Sequence, residues 1–184
     1  MSVSRIVGVA GSLRRGSLNA ALLRAAIELA PEGLEIEPGS IRDIPLYDGD
    51  LESSTGIPDA VSRLKDQIAA ADGWLIVTPE YNNSMPGVFK NAVDWLSRPS
   101  GDNVRVFGGK PVAVMGASPG GFGTIMSQAA WLPVLRSLGM RPWFGSPLHV
   151  SRAHKAFDEE GRLVDPSVQE RLVRFLEGFR EFIG

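Results

Sequence analysis

Residues 11–19, Gly-Ser-Leu-Arg-Arg-Gly-Ser-Leu-Asn, follow the short apolar run Ile6–Ala10 and precede a helix-like stretch, Ala20 to Ala30. Ser12, Ser17 and Asn19 offer side-chain donors, Arg14 offers a forked guanidinium, and the first N–H groups of the following helix lack intrahelical acceptors. Donors of this kind at a helix start suit a phosphate, which also gains from the helix dipole. The stretch is neither a Walker loop, for no Gly-Lys-Ser/Thr occurs, nor Gly-x-Gly-x-x-Gly. A plain helix cap by Ser17 or Asn19 would explain one such residue. It does not explain the whole set.

Two further loops carry unusual chemistry. Residues 79–87, Pro-Glu-Tyr-Asn-Asn-Ser-Met-Pro-Gly, hold prolines at both ends and an aromatic surface at Tyr81. A stiff loop with fixed backbone N–H and C=O groups suits a flat heteroaromatic ligand with donors and acceptors on its rim. Ordinary packing for Tyr81 and an exposed charge at Glu80 are the simpler alternatives. Residues 118–124, Ser-Pro-Gly-Gly-Phe-Gly-Thr, place glycines at 120, 121 and 123. Such a loop allows positive φ angles and close approach of backbone to a ligand. Gly121-Phe122-Gly123 alone is too short for a dinucleotide fingerprint.

The elements that must position these loops are legible from apolar patterning. Arg5–Ala10, Gly73–Thr78 and Lys110–Ala117 are nearly continuous apolar runs, as in strands covered on both faces. Leu34–Glu37 alternates, which suggests a strand nearer an edge, and Trp143–Leu148 is expected to form a fifth strand. Helical spacing joins Leu18, Leu22, Leu23, Ala26 and Ile27, and then Val61, Leu64, Ile68 and Ala69 after Pro58. It recurs at Val88, Ala92, Val93, Trp95 and Leu96, and at Trp131, Leu132, Leu135 and Leu138, closing at Gly139. Asp165-Pro166 forms a cap with proline at the first helical position, ahead of a face built from Val168, Leu172, Phe175, Leu176, Phe179 and Phe182. Arg98–Lys110 reads as one exposed loop.

Strands alternating with helices predict an α/β doubly wound, five-stranded parallel sheet with helices on both faces. One domain over residues 1–184 is expected. In the common order 2-1-3-4-5 the loops after strands one, three and four lie at the carboxyl end of the sheet. Ligands bind there, at the switch point between strands one and three.

Composition removes several functional classes. The net charge of −2 lacks the basic excess of a nucleic-acid binder. Without cysteine, thiolate metal sites and cysteine nucleophiles do not arise. His149 and His154 are too few for a histidine metal cluster and read as structural or surface residues. No apolar run approaches membrane-spanning length, and the N-terminus lacks a charged-then-apolar leader, so no membrane partner and a cytoplasmic location are expected.

GSLRRGSLN after the first strand and PEYNNSMPGVFKNAVDWLSRP after the third together resemble the NADPH-dependent FMN reductase family. That family includes chromate, quinone and azo-dye reductases of flavodoxin-like fold. The likeness extends over most of the chain and takes in IPLYDGDLE at 44–52. It implies non-covalent FMN with its phosphate on Ser12, Arg14, Ser17, Leu18 and Asn19. The isoalloxazine would lie along Pro79, Glu80, Tyr81, Asn82 and Ser84, with Ser118, Gly120 and Gly121 closing the pyrimidine side. It also implies a hydride passed from NADPH or NADH to flavin N5 and on to a small oxidant, in ping-pong fashion. Quinone, chromate, an azo dye or free flavin would serve as that oxidant, with no metal and no catalytic side chain. A homodimer or homotetramer is implied too, with Trp95, Trp131 and segment 44–52 as candidate contact surface. The chain departs from the family pattern at Ile125–Gln128, where many members carry an arginine.

The competing class is a flavodoxin-type electron carrier without substrate turnover. Such carriers tend to be strongly acidic, steering basic partners by charge. A net charge of −2 argues against it. A sensor that binds FMN without turnover is the third reading.

Overall fold

The computed structural model describes residues 3–184. Strand β1 (Ser4–Ala10) sits in mid-sheet between β2 (Leu34–Gly39) and β3 (Gly73–Val77), and β4 (Pro111–Ala117) follows β3. With β5 at Arg141–Pro142, the order is β2-β1-β3-β4-β5 and every pairing is parallel, which is the flavodoxin-like arrangement. β3 is buried at all its positions because helices cover both faces of the sheet. Its side chains alternate. Leu75 and Val77 join α1 (Leu18–Glu28) and α7 (Pro166–Ile183) on one face. Trp74 and Ile76 join α3 (Asp59–Ala70), α4 (Gly87–Leu96) and α6 (Ile125–Ser137) on the other.

The fifth strand is not where apolar patterning puts it. β5 (Arg141–Pro142) and β6 (Leu148–Val150) pair with successive stretches of β4, and the expected strand Trp143–Leu148 is mostly the break between them. The Trp143 amide still donates to Val112 of β4 at 2.8 Å, and its indole packs edge-on against Phe175, with ring centroids 5.1 Å apart. Gly145 lies so near the Trp143 indole that a Cβ there would come within 2.7 Å of Nε1. The sheet therefore has six strands, the last two sharing one edge.

Arg98–Lys110 is also more than an exposed loop. A 3₁₀ turn at Ser100–Asp102 leads into α5 (Asn103–Val106), and Val106 and Phe107 are fully buried. Lys65, itself buried, pairs with Asp102 at 2.7 Å and donates to the Arg98 carbonyl. Arg105 bonds the same carboxylate at 3.0 Å. Hydrogen bonds from Arg105 and then Lys65 hold the Asp102 carboxyl well below the usual carboxylate range. The prolines and glycines mark the turns of this segment, but its two apolar side chains and Asp102 anchor it.

Trp95 and Trp131 are both core residues, so neither supplies contact surface. The Trp95 indole N–H donates to the Pro45 carbonyl at 2.9 Å, holding segment 44–52 against α4. Part of that segment forms a short helix, α2 (Gly49–Thr55), leaving Leu46 and Tyr47 exposed ahead of it.

Candidate active site

β1, β3 and β4 are neighbours, so the loops after them lie side by side at the carboxyl end of the sheet. In the first loop Ser17 caps α1: its hydroxyl accepts from the Ala20 amide at 3.2 Å and its carbonyl from Ala21 at 3.0 Å. The amides of Leu18 and Asn19, also in the first turn, remain for an anion. Arg14 is exposed, with its guanidinium folded toward Gly16, where a Cβ would lie 3.4 Å from Nη1. Arg15 lines a 480 Å³ cleft that also takes in Gly16, Ser17 and Leu18 and reaches Arg24, His154 and Asp158.

The Asn19 side chain has a partner that its residue type does not reveal. The residue is 3% exposed, and its side-chain amide bonds the Ala117 backbone at both ends. Nδ2 donates to the Ala117 carbonyl at 2.8 Å, and Oδ1 accepts from the Ala117 amide at 2.9 Å. The side chain ties α1 to the end of β4, and the Asn19 backbone N–H lies in the first turn. Arg42, absent from the sequence-based set, reaches this loop from beyond β2 and donates to the Leu13 carbonyl at 3.0 Å. Its one sequence signal is position: it follows the strand beside β1, at the same end of the sheet.

The second loop is a two-residue hairpin. Tyr81 and Ser84 exchange backbone hydrogen bonds at 3.1 and 3.0 Å. Asn82 and Asn83 between them have φ of +50° and +59°, the left-handed pair of a type I′ turn. Asparagine tolerates this region better than most residues, which explains the Asn-Asn pair without a glycine. The hairpin leaves Tyr81 48% exposed, with its hydroxyl 3.3 Å from Ser12 Oγ. The phosphate-type loop and the aromatic loop thus meet. Beneath them Gly11 has no room for a side chain, since a Cβ would lie 2.3 Å from the Phe89 ring and 3.0 Å from Pro79.

Glu80 is not a free surface charge. Its Oε2 accepts from the amides of Met126 and Ser127, at 2.9 and 3.0 Å. Just behind it, buried Thr78 accepts from the Trp131 indole at 3.1 Å, donates to the Pro79 carbonyl at 2.9 Å, and meets the Ser127 hydroxyl at 2.8 Å.

In the third loop Ser118 Oγ accepts from the Gly120 amide at 3.1 Å. The Gly120 carbonyl accepts from Arg152 at 2.9 Å, pinning the loop to the segment after β6. Of its three glycines only Gly123 has positive φ, +65°, so Gly120 and Gly121 do not use that freedom. Gly123 also needs its small size, because a Cβ would press on the His149 backbone at 3.1 Å. Gly121 has open space around its Cα. Burial pushes the His149 imidazole down from its usual pKa, Arg171 adds to this, and Glu80 opposes it.

An anion-binding helix start with an arginine, next to a rigid aromatic hairpin and an open glycine loop, fits a phosphorylated flat ring. The model of the NADPH-dependent FMN reductase family matches residues 4–155. The chain belongs to that family. It is 44% identical to an NAD(P)H-dependent FMN reductase of Pseudomonas aeruginosa, over 97% of this chain and 95% of that protein. Against a 2-hydroxy-1,4-benzoquinone reductase of a Burkholderia species the identity is 38%, covering 97% of this chain and 96% of the relative. Among solved structures, the flavoenzyme NAD(P)H:(acceptor) oxidoreductase FerB of Paracoccus denitrificans superposes with a TM-score of 0.87 at 36% identity. That match covers 98% of this chain and 97% of FerB. This FMN reductase family member is an NAD(P)H-dependent, FMN-using oxidoreductase. Among the described residues no helix is long and apolar enough to cross a membrane.

Proposed function

We propose that the protein reduces small diffusible oxidants, quinones foremost, at an FMN held by the three loops. The observation that carries this is the junction of the loop leading into α1 with the Tyr81 hairpin, at 3.3 Å between Tyr81 and Ser12. FMN, when bound, supplies the two-electron chemistry that links a nicotinamide donor to the oxidant. The chain's own residues bind and orient. Arg14 and the hydroxyls of Ser12 and Ser17 take the phosphate, together with the backbone amides of Leu18 and Asn19. Pro79, Tyr81, Asn82 and Ser84, with the backbone of Glu80, form the shelf for the ring. Ser118, Gly120 and Gly121 border its pyrimidine edge, where the open space at Gly121 leaves room. No side chain has to hold a proton for the chemistry.

NADPH and NADH are both proposed donors. A homodimer or homotetramer fits the exposed Leu46 and Tyr47 ahead of α2, and a cytoplasmic location fits a donor found there. The test loads the purified chain with FMN and follows NADPH and NADH oxidation with benzoquinone as acceptor. Steady-state lines that stay parallel as the quinone is varied are expected. A chain that binds FMN yet turns over no acceptor would replace this reading with the electron carrier.

A further inference from the structure

We propose that Glu80 is a positioning residue that locks the hairpin loop to the glycine loop, acting through its side chain on α6 rather than on the ligand. The proposal rests on the reading of the three loops as the flavin site. α6 begins at Ile125, directly after the glycine loop, and its N-cap residue Thr124 makes no side-chain cap bond. Thr124 Oγ1 accepts from Gln128 Nε2 at 3.1 Å instead. The helix start therefore has orphan amides that its own sequence leaves unserved. Glu80 supplies the missing cap from another loop, 46 and 47 residues away, with one carboxylate oxygen on two amides. A carboxylate at this position is also favoured by the helix dipole.

A second tie crosses the same junction, between the hydroxyls of Thr78 and Ser127. Glu80 and Thr78 flank Pro79, so the start of the hairpin loop is clamped on both sides to the first turn of α6. That turn fixes the trailing end of the glycine loop relative to Tyr81, while the Arg152 amide holds its leading end at the Gly120 carbonyl. Removing Glu80 leaves both loops present but frees one to move against the other. Glutamine keeps an oxygen in the same place for both amides and so retains the tie without the charge.

The experiment compares E80A, E80Q and E80D with the unaltered full-length chain. Amide hydrogen exchange is measured without added flavin, and FMN affinity by fluorescence titration. In E80A, exchange at Met126 and Ser127 should quicken by roughly tenfold or more, as for a lost cap, with β4 amides unchanged. FMN binding should weaken to a similar degree, its Kd rising about tenfold. E80Q should stay within about threefold of the unaltered chain on both measures. If E80A fails to fold, E80D replaces it, because the shorter side chain cannot reach both amides. Unchanged exchange at Met126 and Ser127 overturns the tie. Faster exchange with unaltered FMN affinity overturns the coupling between loops, and E80Q as impaired as E80A overturns the geometric role. If the unaltered chain binds no FMN, the flavin-site reading fails, while the exchange results alone still decide the tie.

Discussion

Asn19→Ala separates a structural anchor from a phosphate ligand. The Asn19 side chain makes two bonds to Ala117, at 2.8 and 2.9 Å, and Ala117 is itself buried. Truncation leaves the Ala117 carbonyl and amide without partners, at a cost of roughly 3 kcal/mol for the pair. Alanine is the better helix former by up to about 0.7 kcal/mol. The net loss is then roughly 2–3 kcal/mol. In a chain of this length that lowers Tm by about 5–10 °C. The assay is urea unfolding of the flavin-free chain, repeated with excess FMN. The same loss is expected in both series, because the stabilisation by FMN follows its Kd, which an anchor residue alters little. Asn19→Asp should be at least as harmful, since it keeps the acceptor for the Ala117 amide but sets a carboxylate against the carbonyl. A flavin-free chain changed by less than about 0.5 kcal/mol, with the FMN increment reduced, would refute the anchor and restore Asn19 as a direct ligand.

Arg14→Ala should raise the FMN Kd by roughly 10- to 100-fold, the value of one charge-assisted bond. Arg15→Ala should change it by less than about threefold, because it is Arg14 whose guanidinium folds toward Gly16 ahead of α1; titration showing the reverse order would overturn this register of the loop. Asp102, bonded first by Arg105 and then by Lys65, has a folded pKa depressed below its unfolded value. Its stabilisation is therefore complete above the unfolded value of about 3.9 and lost as pH falls through the folded one. The Tm gap between the unaltered chain and Asp102→Asn should be widest near neutrality and narrow below about pH 4; a gap constant into that acid range would count against the network. Light scattering at micromolar concentration should give a dimer or tetramer mass, and Leu46→Glu should lower it; a monomer mass for the unaltered chain would remove the proposed contact surface.

The sheet's central strands, its class and the loops that matter were all legible in the linear chain. β1, β3 and β4 are covered on both faces, and only such strands give short continuous apolar runs that need no partner to be recognised. Parallel connection then places the loops after them at one end, whatever their side chains do. The donor types in Ser12, Arg14 and Ser17, and the paired loop motifs, likewise identified the family without coordinates. What single side chains bond to was not legible. Asn19 has the residue type of a phosphate ligand but serves Ala117, 98 positions away, and Glu80 has the look of a surface charge but caps α6. A polar side chain carries no local mark of its partner, and only the packing of α1 and α6 on the sheet brings those partners within reach. The same holds for the broken fifth strand, where Trp143 finds Phe175 of α7 more than thirty residues on. Local patterning fixes which segments can form strands and helices; the orphan backbone groups and apolar surfaces left after they assemble decide which side chains are drawn into the structure and which remain free for the flavin.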